Sequence, residues 1–173
     1  LLLVGYESGS QDILNRVKKG IRLDVARRFT REAKALGIKI HGTFIMGLPG
    51  ETRETIEETI RFARDIDPDS LQVSLAAPYP GTALYREALE RGWLERTELV
   101  DTAGTQTSVL GYPHLSREEI FASVERFYRS FYFRPRKLFG FLKEMASDFD
   151  VCKRRLAEGR EFLKFLARRH SSS

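Results

Sequence analysis

The chain has 173 residues, of which 42% are hydrophobic and 31% charged, with a net charge of +5. That composition sets aside bulk disorder, and the length suits one ordinary domain. No apolar run approaches the ~20 residues of a membrane-spanning helix. Cys152 is the only cysteine, which excludes an internal disulfide framework and any cysteine-only metal site. Charge is uneven: residues 116–173 hold 14 Lys/Arg against 8 Asp/Glu, while the preceding part is close to neutral. A basic tail fits an anionic partner, a membrane surface or a solvated helical face.

Leu1–Tyr6 is a continuous apolar run, as in a strand buried on both faces of a parallel sheet. With neither initiator Met nor signal-peptide features, this opening reads as a cut piece of something longer. Glu7-Ser8-Gly9-Ser10 forms a polar turn, followed by Ile13, Leu14 and Val17 at helical spacing up to Gly20. Asp24 to Leu36 predicts a second helix with Val25, Phe29, Ala33 and Leu36 toward the core and Gly37 as its stop. Ile38 to Met46 predicts a strand, closed by the turn Gly47-Leu48-Pro49-Gly50. Glu51-Thr52 leads into a helix with Ile56, Ile60 and Phe62 inward, ending at Asp67-Pro68-Asp69. Leu71 to Ala77 is the third strand, and Thr82 caps a helix reaching Glu90 with Gly92 as its stop. Strand–helix alternation implies a parallel sheet with right-handed crossovers.

Residues 95–115 have weak periodicity and read as a loop or linker. Ser116 with Glu119 fits a capping box. Phe121, Val124, Phe127, Tyr128 and Phe131 repeat at helical spacing until Pro135 breaks or restarts the helix. Further helices are predicted over about 136–146 and 149–169. The fold class is therefore α/β, three parallel βα units amounting to part of a (β/α) barrel, followed by an all-α C-terminal extension. The expected division is 1–94, 95–115 and 116–173.

In parallel α/β folds, ligands sit at the carboxyl ends of strands. Glu7–Ser10, Gly47–Glu51 and Ala77–Gly81 all fall at that edge. Glu7 and Ser8 suit hydrogen bonds to a vicinal diol such as ribose, but by themselves they read first as helix N-terminal residues. At the second edge, glycines let a flat ring approach the backbone while Ile45 packs on its face; a tight turn explains Pro49 and Gly50 equally well. Ala76 and Ala77 leave room for a ligand or for a crossing helix. Lys18 and Lys19 end the first helix, where Lys is electrostatically favoured and is also placed to pair with a carboxylate. His41 reads as a satisfied core histidine, and nothing is assigned to His114 or His170. The Asp65, Asp67 and Asp69 spacing is explained by a helix-ending turn.

The runs GYESGSQDILNRVKKG, GIKIHGTFIMGLPGETRETIEETIRFARDI and LQVSLAAPYPGTALY, within Gly5 to Trp93, resemble the S-adenosylmethionine (SAM)-binding half of radical SAM enzymes. The likeness is to those that follow a cobalamin-binding-type domain. It implies an enzyme that cleaves SAM reductively and abstracts a substrate hydrogen through a 5′-deoxyadenosyl radical, with electrons from an external donor. It implies that Glu7 and Ser8 meet the ribose, that Ile45, Gly47, Ala76 and Ala77 meet the adenine, and that Lys19 meets the SAM carboxylate. The family's [4Fe–4S] cluster is held by C-x3-C-x2-C, which is absent here, so its ligands are expected N-terminal to Leu1 and this piece alone is expected to be inactive. Cobalamin is a further cofactor that the resemblance allows in the parent.

The tail FYRSFYFRPRKLFGFLKEMASDFDVCKRRLAEGREFLKFLARRH resembles that of the radical SAM protein associated with hopanoid biosynthesis. This implies a lipid substrate whose sugar-like head is contracted to a cyclitol. It also implies a cytoplasmic protein, with peripheral contact to the inner face of the membrane through Phe131, Tyr132, Phe133, Arg134, Arg136, Lys137, Phe139 and Phe141. An ordinary helical cap packed on the barrel is the alternative reading of that tail. A rival within the superfamily is an RNA-modifying enzyme, with nucleic acid the less favoured partner over a small-molecule or lipid substrate. A rival outside it is a non-catalytic α/β binding module.

Overall fold

The computed structural model describes residues 1–95, 98–100, 106–140, 157 and 159–160. Its elements are β1 (Leu2–Glu7), α1 (Gln11–Arg16), α2 (Leu23–Ala35), β2 (Ile40–Met46), α3 (Arg53–Ile66), β3 (Ser70–Leu75), α4 (Ala83–Glu90) and α5 (Arg117–Tyr132). The strands form one parallel sheet in the order β1-β2-β3. Each crossover carries a helix, as parallel pairing demands. The α/β class with three parallel strands and a following helical part is as the alternation implied.

The two faces of the sheet differ in chemistry. Tyr6, Ile40, Phe44, Met46, Leu71, Val73 and Leu75 alternate onto the buried face. Tyr6 stacks on Phe44 at 5.6 Å and meets Phe62 of α3 edge-on at 5.9 Å, and Phe44 in turn meets Phe127 of α5 at 5.1 Å. The opposite face carries Leu3, Gly5, His41, Thr43, Ile45, Ser70, Gln72 and Ser74, aligned by the register pairs Leu3–His41, His41–Ser70, Thr43–Gln72 and Ile45–Ser74. These positions are half-buried or exposed. His41 belongs to this open face and not to the core: it is half-buried, with Nδ1 2.8 Å from Ser70 Oγ.

Local signals explain the boundaries. Thr52 and Thr55 close a capping box at the start of α3, and Asp67 ends the helix in the left-handed region (φ 46°). Thr82 Oγ1 accepts from Tyr85 N at 3.2 Å to start α4. Ser116 and Glu119 form the expected reciprocal bonds ahead of α5. The three aspartates are occupied as a helix-ending turn requires. Asp65 pairs with Arg27 at 3.0 Å, Asp67 with Lys34 at 3.7 Å, and Asp69 Oδ2 accepts from Ile40 N at 2.8 Å.

Helix α2 is rotated from the expected face. Ala26, Thr30 and Ala33 are buried, while Val25, Phe29 and Leu36 stand at the surface. Tyr6 explains the difference, because its hydroxyl lies 2.5 Å from Thr30 Oγ1 beneath the helix. A buried phenol needs a hydrogen-bond partner, and the small Ala/Thr stripe lets the helix approach closely enough to supply one.

Leu1–Phe127 and Tyr128–Ser173 are two compact units. The first includes the stretch read as a loop or linker, which has isolated antiparallel bridges at Leu94–Leu110, Val100–Gln106 and Tyr112–Leu115 and buries Val109, Leu110, Tyr112 and Leu115. In the second, a helical run begins at Pro135, where a missing N–H is tolerated. Arg134 and Lys137 sit over the Phe131 ring at 4.6 and 4.8 Å, and Phe133, Leu138 and Phe139 are exposed. The helices expected over 136–146 and 149–169 lie largely outside the described residues, as does Phe141. No described helix is long and apolar enough to cross a membrane.

Candidate functional site

The first strand tip is bent to bring a carboxylate back over the sheet. The β1–β2 register shifts between Gly5 and Glu7. Ser8 N donates to Tyr6 O at 2.8 Å around Glu7, which takes φ 62°. A left-handed Glu is costly and persists only where its surroundings enforce it. The result is an ion pair: Lys19 Nζ lies 2.7 Å from Glu7 Oε1, both side chains partly buried. Gly5 makes the space, since a Cβ there would stand 2.6 Å from Glu7 Oε1 and 3.2 Å from Lys19 Nζ. The pair therefore lies over the open face, beside a backbone bare of side chain.

Ser8 faces the other way. It is fully buried, with Oγ 3.1 Å from Thr59 Oγ1 and accepting from Ser10 N at 3.1 Å. Gly9 N donates to the same Thr59 hydroxyl at 2.9 Å. The turn after β1 is thus bolted to α3.

The second tip is a turn in which both polar groups of one glycine are tied. Gly47 (φ 83°) donates its N–H to Glu51 Oε2 at 2.6 Å, and its carbonyl accepts from Tyr112 Oη at 2.8 Å. Glu51 is fully buried, and burial pushes its carboxyl up to about 7 despite the opposing Gly47 and Leu48 N–H groups. Its Oε1 has no hydrogen-bond partner among the described residues. His114 Nε2 donates to the Glu51 carbonyl at 2.9 Å and the His114 ring stacks on Tyr112. Burial, then the charges of Glu51 and Glu87, raises the Tyr112 phenol, so it remains a donor. Ile45 is half-buried on the open face, and the Arg16 guanidinium fills the space against Gly50.

At the third tip, Ala76 N donates to Met46 O at 2.8 Å, which sets the ends of β2 and β3 side by side. Ala76 is buried and Ala77 half-buried. The Gln106 amide bonds both backbone groups of Leu75, accepting from its N–H at 3.1 Å and donating to its carbonyl at 2.9 Å.

Of the residues singled out in the sequence, the structure gathers Glu7 and Lys19 as a pair, and places Gly47 and Ala76 at neighbouring strand ends with Ile45 on the open face below them. Ser8 is turned into the core. Sequence reasoning missed Glu51, Gln106, Tyr112 and His114. Glu51 carried a weak signal, as the acid that closes a Gly-Leu-Pro-Gly turn; the other three reach the strand tips only through the folded path of the 106–115 stretch.

The fold is similar to that of coproporphyrinogen III oxidase from Escherichia coli, with a TM-score of 0.53 over 75% of this chain and 26% of that one, at 18% identity. Residues 1–63 match the Radical SAM superfamily model. The family model and the relatives support a place for this chain in the radical SAM superfamily. It is 37% identical to an uncharacterised methyltransferase of Pyrococcus horikoshii over 78% of this chain. It is 29% identical to the cytidylyl-2-hydroxyethylphosphonate methyltransferase of Streptomyces wedmorensis over 72% of this chain. The chain spans 29% and 25% of the lengths of those two relatives. Other matching relatives are named as cyclases and methylthiotransferases.

The described residues fit one of the superfamily's two cofactors. SAM offers a vicinal diol, a carboxylate and a flat base, and the Glu7–Lys19 pair beside Gly5, with Ile45 on the same face, presents complementary groups. An iron–sulfur cluster needs thiolates. Among the described residues no three His, Cys, Asp or Glu side chains gather as a metal site, and Cys152 lies outside them.

Proposed function

We propose that this chain is the SAM-holding portion of a radical SAM enzyme, with Glu7 and Lys19 receiving the polar parts of the cofactor. The observation that carries this reading is the 2.7 Å Glu7–Lys19 pair held over Gly5 by a left-handed strand end. The Glu7 carboxylate accepts from the ribose diol, and the Lys19 ammonium pairs with the SAM carboxylate. Ile45 covers one face of the adenine, and the backbone at Gly47, Ala76 and Ala77 borders its edge. Ser8 serves the same site from behind, by pinning the turn that follows Glu7 onto Thr59. When bound and reductively cleaved, SAM supplies hydrogen-atom abstraction; the residues of this chain orient it and keep water from it.

The substrate reading is a hopanoid lipid head contracted to a cyclitol, supported by the sequence likeness of the tail, as is cobalamin in the parent. Exposed Phe133, Leu138 and Phe139 among basic residues support a peripheral membrane contact for such a substrate. A methyl-transfer reaction is favoured by a different observation, the methyltransferase names of the two relatives above. An RNA substrate draws support from the basic tail and from the methylthiotransferases among the relatives.

Glu7→Gln in the full-length protein is the direct test. Equilibrium dialysis should show SAM bound roughly tenfold or more weakly, the scale of losing a charged hydrogen-bond acceptor. Iron and sulfide content should be unchanged. A SAM affinity equal to the parent's removes the ribose role and leaves Glu7 as a structural residue of the bend.

A further inference from the structure

Two side chains from the irregular stretch after α4 reach the strand tips. Tyr112 Oη donates to the carbonyl of Gly47 at 2.8 Å, and the Gln106 amide takes both backbone groups of Leu75. These are the last turns of backbone at the ends of β2 and β3, joined to each other by Ala76 N and Met46 O. The stretch is itself well held. Tyr112 and Leu115 exchange backbone bonds at 2.9 and 3.1 Å, Gly111 N donates to Trp93 O at 2.9 Å, and Trp93 meets the Tyr112 ring edge-on at 5.0 Å. His114 adds a third tether, at the Glu51 carbonyl.

Tyr112 has more reach than its packing requires. Its ring is buried against Trp93 and His114, and a Phe would fill that space equally well. The hydroxyl instead fixes the direction of the Gly47 carbonyl, while Glu51 fixes the N–H of the same residue. The two peptide groups that meet at Gly47 are thus each tied, one through its N–H and the other through its carbonyl, so the backbone there keeps one set of donors and acceptors. Recognition by backbone depends on that pre-organisation.

We infer that residues 106–115 form a brace that holds the β2 and β3 tips in their SAM-binding geometry, with Tyr112 as a positioning residue. The inference rests on the strand-tip reading above. Its role in this reading is exerted through the Gly47 carbonyl.

The test is the SAM dissociation constant of full-length Tyr112→Phe and Glu7→Gln, measured well below the melting temperature of each. The expected result for Tyr112→Phe is about tenfold weaker SAM binding, the scale of one hydrogen bond lost at a buried carbonyl. Packing alone would lower the melting temperature and leave that constant unmoved. If Tyr112→Phe binds SAM as the parent does while Glu7→Gln does not, the brace is overturned and the site stands. If neither variant loses affinity, the strand-tip reading fails and takes the brace with it. Should Tyr112→Phe fail to fold, hydrogen exchange on the unaltered protein decides. SAM must then slow exchange in 106–115 together with 42–51; slowing confined to 5–9 and 42–51 overturns the inference.

Discussion

Replacing Glu51 with Gln is expected to remove most of the fall in this protein's stability between pH 4.5 and 7. The Glu51 carboxyl is buried, its Oε1 is without a partner among the described residues, and burial raises it from 4.5 to about 7. A group raised on folding contributes its full stability below its unfolded value, and loses it as pH rises toward the folded one. The gap between 4.5 and about 7 corresponds to roughly 3 kcal/mol. Gln keeps an oxygen to accept from Gly47 N and cannot ionise. Above pH 7 the variant should therefore be the more stable protein, by up to about 3 kcal/mol, because it no longer buries a charge. Urea unfolding of both proteins from pH 4 to 8 checks this. Parallel curves would mean that Glu51 carries no such linkage.

Gly9→Ala has an effect of similar size from a different cause. A Cβ on Gly9 would stand 2.5 Å from Phe62 Cβ, 2.6 Å from Thr59 Cα and 2.9 Å from Glu58 O. All three atoms belong to α3, and none can rotate out of the way. The helix must retreat, which strains the Gly9 N–Thr59 bond and the Ser8–Thr59 contact. The expected loss is about 3 kcal/mol, in the upper part of the range for overpacking. Gly20→Ala is the control: it lies in open space with φ 71°, so it incurs only backbone strain of about 1 kcal/mol. Equal losses in the two variants, read from denaturant midpoints, would show that the close approach of α3 to the β1 turn does not matter. If Glu7 receives SAM as proposed, Gly9→Ala should also weaken SAM binding, since the turn it disturbs begins at Glu7.

The sheet was legible because its strands are apolar runs ending in polar or glycine- and proline-rich turns, and because the helices between them stop at Gly37 and Asp67. Helix α2 was misjudged by about one position. Its outward residues are the larger hydrophobes, and the burial of Thr30 depends on a tyrosine 24 positions earlier. Lys19 was legible as a cation at a helix end, but not its partner, because only the left-handed bend at Glu7 turns the carboxylate back over Gly5. A hydroxyl such as that of Ser8 gives no sign in sequence of whether it faces a ligand or a helix. The contributions of Gln106 and Tyr112 arise from contacts 31 and 65 residues apart, beyond the reach of any local pattern.

Strand β1 stands at the margin of the sheet, with β2 on one flank. Among the described residues no strand pairs with its other flank, which offers a ladder of peptide groups, and Leu1 and Leu3 beside it are largely exposed. An unguarded ladder of this kind is a template for any extended peptide of matching direction. The 173-residue chain should stick to further copies of itself, and a short apolar peptide supplied in trans should compete for the same ladder of hydrogen bonds and keep the chain dispersed.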